Sequence, residues 1–272
     1  MPRAIGLDRA YREAFEQRRL WTPAQSGGRE PLHWLDYQTD PLTMSGATIT
    51  GASPQRGRNR NAWATKPSGT NPSLVDRNGF RAARFDGSGA MTHIVTTGTG
   101  YVNCTYIIAG KMISGGANED VVFGFGQSNA SPSGSGRWMY RSPSSDLMGL
   151  AGWGIDIGTS GTAWDIAGAQ PHVFAVRKAG LTTIFDRDGS LAFSTRSWPQ
   201  NPPATNVGVL CLGGITPATS YGTNMDFFEV MAWEYELSSH EYQRAQAYLC
   251  WKYRLPVNAG NPFCNRPPLI GD

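Results

Sequence analysis

The chain has 272 residues, a formal net charge of +3 and 17% charged residues, a balance that excludes the strongly basic surface of a typical nucleic-acid binder. Its 11% aromatic content, with nine Trp, excludes a disordered chain, and 33 Gly with 18 Pro in no strict period exclude collagen. No run reaches the roughly 18 apolar residues of a membrane-spanning helix, so no membrane insertion is expected.

Residues 8–19 read as a short helix. Asp8 is placed to cap it, and Tyr11, Ala14 and Phe15 fall on one face at spacings of three and four. A helix of about twelve residues is marginal alone, so its apolar stripe must be buried by something. The expectation is an assembly role: residues 1–30 form an anchor and linker, with Tyr11, Ala14 and Phe15 docking on another copy or a partner. Packing on its own domain is the alternative. The opening residues are charged and lack the apolar stretch of a signal peptide, so the chain is expected to be made and folded in a cytoplasm, or to be a mature fragment.

From residue 31 the pattern changes to short strands between turn signals: 80–85, 91–96, 102–113, 121–126, 136–141, 147–153, 172–178, 181–187, 191–195, 207–214 and 226–236. Asp188-Gly189 marks a hairpin, because both turn positions want positive φ. Such a series without intervening helices predicts an all-β antiparallel jelly-roll sandwich over residues 31–256. Ser238-Ser239-His240-Glu241 is a capping box that opens a closing helix over 238–254, with Tyr242, Ala245, Leu249 and Tyr253 on its apolar stripe and Tyr248 beside it; Pro256 stops it. Residues 257–272 read as an irregular tail that wraps over a neighbouring surface.

Three segments carry a family resemblance. Trp34-Leu35-Asp36 leads to Asn61-Ala62 and then to Phe85-Asp86-Gly87. Residues 172–195 read as paired strands around a short turn. Residues 227–256 end in a strand, a Leu-Ser cap and a helix closing on Tyr248-Leu249-x-x-Lys252-Tyr253. Together these resemble the laminin G-like branch of the concanavalin A-like lectin/glucanase fold. Where many relatives place acidic residues after Phe-Asp-Gly, this chain has Ser88-Gly89-Ala90-Met91, and Ser53-Pro54-Gln55-Arg56-Gly57 replaces a turn that is usually acidic. A calcium site built from those carboxylates is therefore not expected.

Candidate chemistry is sparse. His33, His93, His172 and His240 show no metal spacing, and His172 after Pro171 reads as the start of a strand rather than a base. Cys104, Cys211, Cys250 and Cys264 are widely spaced, so free thiols are expected, with a Cys250–Cys264 bridge as the alternative. Glu229, Glu234 and Glu236 are the nearest imitation of a glycosidase carboxylate pair, with Glu234 and Glu236 on one strand face. Arg56, Arg58 and Arg60 crowd one loop, read as a solvated turn or a small anion contact.

For binding, the loops 154–171, 197–206 and 213–224 each carry an aromatic ring: Trp164, Trp198 or Tyr221. With Asp165 and Asn201 as hydrogen-bonding neighbours, they are the candidate glycan-stacking residues; plugging the ends of the sandwich is the alternative. The resulting expectation is a non-enzymatic protein without metal or cofactor. Sandwiches of this family are commonly displayed on tailed-bacteriophage particles. The resemblance therefore implies a virion decoration, fibre or tail component at the particle surface, its partners other virion proteins, itself or a host surface glycan. The alternative is a glycan-binding or glycan-cleaving module of a secreted or cell-surface bacterial protein.

Overall fold

The computed structural model describes residues 9, 11–13, 16, 20–28, 30–65, 70–94, 103–115, 120–125, 137–142, 145–152, 155–164, 170–190, 194–197, 209–214 and 221–272. In chain order the described strands are β1 (His33–Asp36), β2 (Leu42–Ser45), β3 (Thr48–Ala52), β4 (Trp63–Thr65), β5 (Ser73–Arg77), β6 (Phe80–Asp86), β7 (Met91–Ile94), β8 (Cys104–Ser114) and β9 (Asp120–Phe125). They continue with β10 (Arg137–Arg141), β11 (Leu147–Gly152), β12 (Ile155–Ala163), β13 (His172–Ala179), β14 (Thr182–Arg187), β15 (Ser194–Ser197), β16 (Val209–Leu212) and β17 (Asn224–Trp233), closed by helix α1 (Ser239–Lys252).

Among the described residues every strand pairing is antiparallel, and the strands fall into two layers. In the first, β17 holds β6 and β1 end to end along one edge and β8 along the other. The layer continues through β13, β14 and β15, and β5 flanks β6. The second layer runs β2, β3, β4, β7, β16, β9, β10, β11, β12. One pairing, Thr48 with Ser73, joins the layers at β3 and β5. The all-β sandwich expected from the strand pattern is the fold observed.

Alternation decides what each strand buries. Leu35, Ile108, Val176, Phe227 and Val230 meet Ile49, Trp63, Phe123, Leu150 and Leu212 between the layers. The intervening residues Trp34, Ile107, Ala109, Val173, Ala175, Met231 and Trp233 face the other way and pack under α1, against Tyr242, Ala245 and Leu249. The central strands are thus covered on both faces, which is why β8 and β13 read as near-continuous apolar runs instead of a polar–apolar alternation. Each fully buried Leu, Ile, Val or Phe supplies roughly 1.5–3 kcal/mol, so the second cluster is a core in its own right.

Three stretches refine the sequence reading. Residues 155–163, expected in a binding loop, are strand β12 paired with β11. Their Gly, Ser and Thr pair through the backbone and give no apolar alternation to read. Ahead of residue 31, expected as an anchor or as packing on its own domain, described residues lie against the sandwich. Leu20 and Trp21 are buried in the cluster under α1, and Tyr11 lies against it. The tail also turns back on its own helix. Phe263 O accepts Trp251 Nε1 at 2.9 Å, Asn261 Nδ2 donates to Gln243 O at 3.2 Å, and Leu269 bridges Leu20. Hence α1 is buried almost all round, from Tyr242 to Trp251.

Turn chemistry follows the sequence closely. Asp188 and Gly189 both take positive φ, 56° and 74°, between the paired strands β14 and β15, and Asn78-Gly79 does the same between β5 and β6. His172 begins β13, its Nδ1 at 2.6 Å from Asp188 Oδ2. All four cysteines are free, so no Cys250–Cys264 bridge forms. No helix among the described residues is long and apolar enough to cross a membrane.

The capping box at the start of α1 is formed: Ser238 Oγ accepts the Glu241 amide at 3.3 Å, and Glu241 Oε2 accepts the Ser238 amide at 3.3 Å. Ser238→Ala removes one half of it and should cost about 1 kcal/mol, read as a lower urea midpoint with an unchanged slope.

Candidate functional site

The described residues with the densest chemistry lie where the C-terminal end of α1 meets β1 and β17. Asp36 and Glu229 are direct partners across that strand pair. Like charges placed opposite each other destabilise a sheet, so this register needs a compensating cation. It also needs an irregularity. Phe227 faces the inter-layer core, and strict alternation would return Glu229 to the same side. A β-bulge between Phe227 and Glu229 inserts Phe228 and turns both Phe228 and Glu229 toward the helix.

Lys252, the last residue of α1, supplies the cation. Its Nζ donates to Asp36 Oδ2 at 2.7 Å and to Glu229 Oε2 at 2.5 Å. Glu229 also accepts from Trp34 Nε1 at 2.6 Å and from the Tyr253 hydroxyl at 2.7 Å. Asp36 Oδ2 accepts Arg56 Nη2 at 2.7 Å and Thr39 Oγ1 at 2.9 Å. The Arg56 guanidinium lies 4.7 Å over the Trp34 ring. Both carboxylates are fully buried, and the Arg56 side chain keeps 30% of its surface exposed.

The two acids respond differently to this burial. Burial, aided by the Asp36 charge, pushes the Glu229 carboxyl above its usual range despite Lys252. Burial also works upward on Asp36, but Lys252 and Arg56 outweigh it and hold that carboxyl below its usual range. Burial works against the Lys252 charge, yet Glu229 and Asp36 keep the ammonium well above its ordinary value. Asp36 is therefore the fixed anion of the group.

Above these charges opens a cavity of about 760 Å³, lined by Tyr11, Thr22, Thr39, Arg56, Tyr248 and Lys252 among others. It offers the Tyr11 ring, two hydroxyls and two cations already held in place by the carboxylates behind them. Burial raises the Tyr11 phenol to about 12. The Lys252 ammonium is bonded to both Asp36 and Glu229. A glycosidase holds its two carboxyl groups either side of the scissile bond, whereas here the Lys252 ammonium fills the space between them. Among the described residues, no group of His, Cys, Asp and Glu gathers as a metal site.

The residues singled out from sequence fare unevenly. Trp164 has 0% exposure: its Nε1 donates to Tyr140 O at 3.3 Å and its ring sits 4.4 Å from Phe174. It is a core ring, with no face open to a sugar. Tyr221 is half-buried against Val121, Trp138, Tyr140 and Ala151, so it plugs instead of projecting. Asp165, Trp198 and Asn201, and also Ala14 and Phe15, lie outside the described residues. Tyr11, assigned to docking on a neighbour, packs against its own chain and lines the cavity.

Glu234 and Glu236 do not share a strand face, because β17 ends at Trp233; Glu234 pairs with Arg58, and Glu236 lies 3.8 Å from Arg177. The arginine-rich loop is stitched to acids of its own chain, Arg56 to Asp36, Arg58 to Glu234 and Arg60 to Glu30. Arg58 and Arg60 remain exposed, so the loop is a solvated turn whose arginines are paired with acids of the same chain.

Replacing Lys252 by Met leaves two buried acids facing each other and should cost roughly 3–5 kcal/mol. Without the ammonium both carboxyls rise, so the folded variant takes up a proton more readily than the unfolded chain. That gain is present at low pH and lost as pH rises through the elevated values. Urea midpoints should therefore show a larger deficit against the parent protein at pH 7.5 than at pH 5.

No family model and no curated protein matches this chain. Among solved structures it is similar to the Trypanosoma rangeli sialidase in complex with sialic acid, at 11% identity and TM-score 0.53, over 91% of this chain and 38% of that one. The same sialidase with 2,3-difluorosialic acid as a covalent intermediate matches at 10% identity and TM-score 0.54, over 91% and 39%. The Ruminococcus gnavus IT-sialidase CBM40 bound to α2,3-sialyllactose matches at 13% identity and TM-score 0.41, over 57% and 96%. The chain thus spans about two-fifths of the length of the sialidase, and the likeness establishes a shared β-sandwich fold.

Proposed function

We propose that the protein is a glycan-binding module of the lectin-like sandwich class that binds without turnover. The observation that carries this is the 760 Å³ cavity over the Asp36–Lys252–Glu229 group. A sugar presents hydroxyls around a ring with one less polar face. Tyr11 offers aromatic surface to that face, while Thr22, Thr39, Arg56 and Lys252 offer hydrogen bonds to the hydroxyls. Because ion pairs already fix Arg56 and Lys252, little side-chain freedom is lost on binding. The volume lies within the range of ligand pockets, about 300–1,000 Å³, and suits more than one ring. The sandwich shared with a sialidase supports a sugar-directed reading.

The absence of turnover rests on the state of the acids. A retaining or inverting glycosidase needs one carboxyl to donate a proton and another to attack or to activate water. Glu229 is sealed under Trp34 and Tyr253, and Asp36 is neutralised by two cations. Display of the module on a phage particle is a further proposal that rests on the sequence resemblance alone. The geometry favours the binding-module reading and is indifferent to where the module is carried.

On a glycan array the full chain should bind a limited set of oligosaccharides, and Tyr11→Ala and Thr39→Ala should each weaken those hits by about tenfold, equivalent to 1.4 kcal/mol. A blank array for the folded chain would sink the proposal. Release of reducing sugar from bacterial polysaccharides, abolished by Glu229→Gln, would overturn the non-enzymatic half of it.

A further inference from the structure

A second cavity lies beyond the end of α1. It measures about 330 Å³, and the residues that give it character are Arg77, Asn78 and Phe80 of the β5–β6 hairpin, Gln170 and His172 at the start of β13, and Arg254. It shares no lining residue with the first cavity.

The charged side chains that line it are cationic, and the His172 ring is held by the Asp188 carboxylate at 2.6 Å. No carboxylate appears among the described lining residues. Arg77 donates to Asp226 at 2.6 Å, but Arg84 donates to the same carboxylate at 2.7 Å. One acid shared by two guanidiniums leaves positive charge over.

Arg254 adds an independent sign. It sits just past the C-cap of α1 with φ +58°, where the Leu255 amide reaches back to Cys250 O at 2.7 Å and the Arg254 amide to Trp251 O at 3.3 Å. That is the position helices most often give to Gly, because a Cβ is strained there. The chain instead places an exposed Arg, whose guanidinium lies 5.6 Å over the Phe80 ring at the cavity. Folding alone would prefer Gly at this position.

We propose that this cavity is a second binding site, taking a single sugar residue that carries an anionic group, in the first instance a carboxylate. Its volume is at the small end of ligand pockets, which admits one ring and not a chain. Guanidinium is the side chain best matched to carboxylate, through paired N–H donors in a fixed fork. Asn78 and Gln170 supply amides for ring hydroxyls, and Phe80 supplies an apolar wall. The sugar half of this proposal rests on the glycan reading above; the charge requirement stands on the lining residues.

The test uses the full chain titrated calorimetrically with galacturonate, with N-acetylneuraminate, with a sulfated galactose, with neutral galactose and with inorganic phosphate alone. The expected result is binding of one or both carboxylated sugars, at least about tenfold tighter than galactose or phosphate, and weaker as salt is raised. Tighter binding of the sulfated sugar would overturn the carboxylate assignment. Equal binding of phosphate would reduce the cavity to an adventitious anion patch, and equal binding of galactose would remove the charge requirement. Arg254→Gly is the decisive variant: it should melt at the same or a higher temperature than the parent yet lose at least about tenfold in affinity, while Arg254→Lys keeps part of it. Unchanged affinity in Arg254→Gly overturns the site even if acidic sugars bind. Tyr11→Ala and Thr39→Ala should leave this binding intact; its loss there instead would move the acidic sugar to the first cavity and also overturn the proposal.

Discussion

The structure turns on one ammonium group. Lys252 Nζ closes the gap between two acids that the β1–β17 register forces into opposition, and by doing so it pins the last turn of α1 to the centre of the first layer. The helix could cover the apolar face through Tyr242, Ala245 and Leu249 alone, but such packing tolerates sliding and rotation. An ion pair with two fixed acceptors does not. A buried charge is costly unless paired and hydrogen-bonded, so only a helix set at one height and one rotation satisfies Asp36, Glu229 and Lys252 together. The position of Tyr248 and Lys252 beneath the first cavity, and of Arg254 at the second, follows from that single constraint.

The layered core explains why much of the architecture was legible. Strand alternation, the Asp188-Gly189 turn and the Ser238–Glu241 box are local signals, each complete within a few residues, and each appears in the folded chain. The double-sided burial of β8 and β13 was also written locally, as apolar runs too continuous for a sheet with one wet face. The short strands between residues 42 and 77 were harder, because three to five residues carry too little pattern to separate a strand from a turn.

The site was far less legible, for a different physical reason. Asp36, Arg56, Glu229 and Lys252 are separated by up to 216 residues, and nothing near any one of them announces a partner. All four lay in plain view, Asp36 and Lys252 as marks of kinship, Arg56 in the arginine-rich loop and Glu229 as a candidate carboxylate, yet none of them read as a partner of the others. The bulge at Phe228 cannot be foreseen from alternation, since it is a break in alternation. Trp164 misled in the opposite direction. Its Gly- and Thr-rich surroundings look like a loop, but those small residues form an edge-to-edge strand that carries the ring inward. Aromatics beside small residues signal either a platform or a plug, and only the layer opposite decides which.

The antiparallel bridge between Leu20 and Leu269, reinforced by the Trp21 amide donating to Pro268 O at 3.0 Å, has a mechanical consequence. Residues near both ends of the sequence meet at one spot beside α1. Tension applied between them loads this short clasp and the tail's hold on the helix before it reaches any strand of the sandwich. In that geometry the clasp opens by peeling before the strand ladders bear load, and the layers stay out of the load path until it has opened.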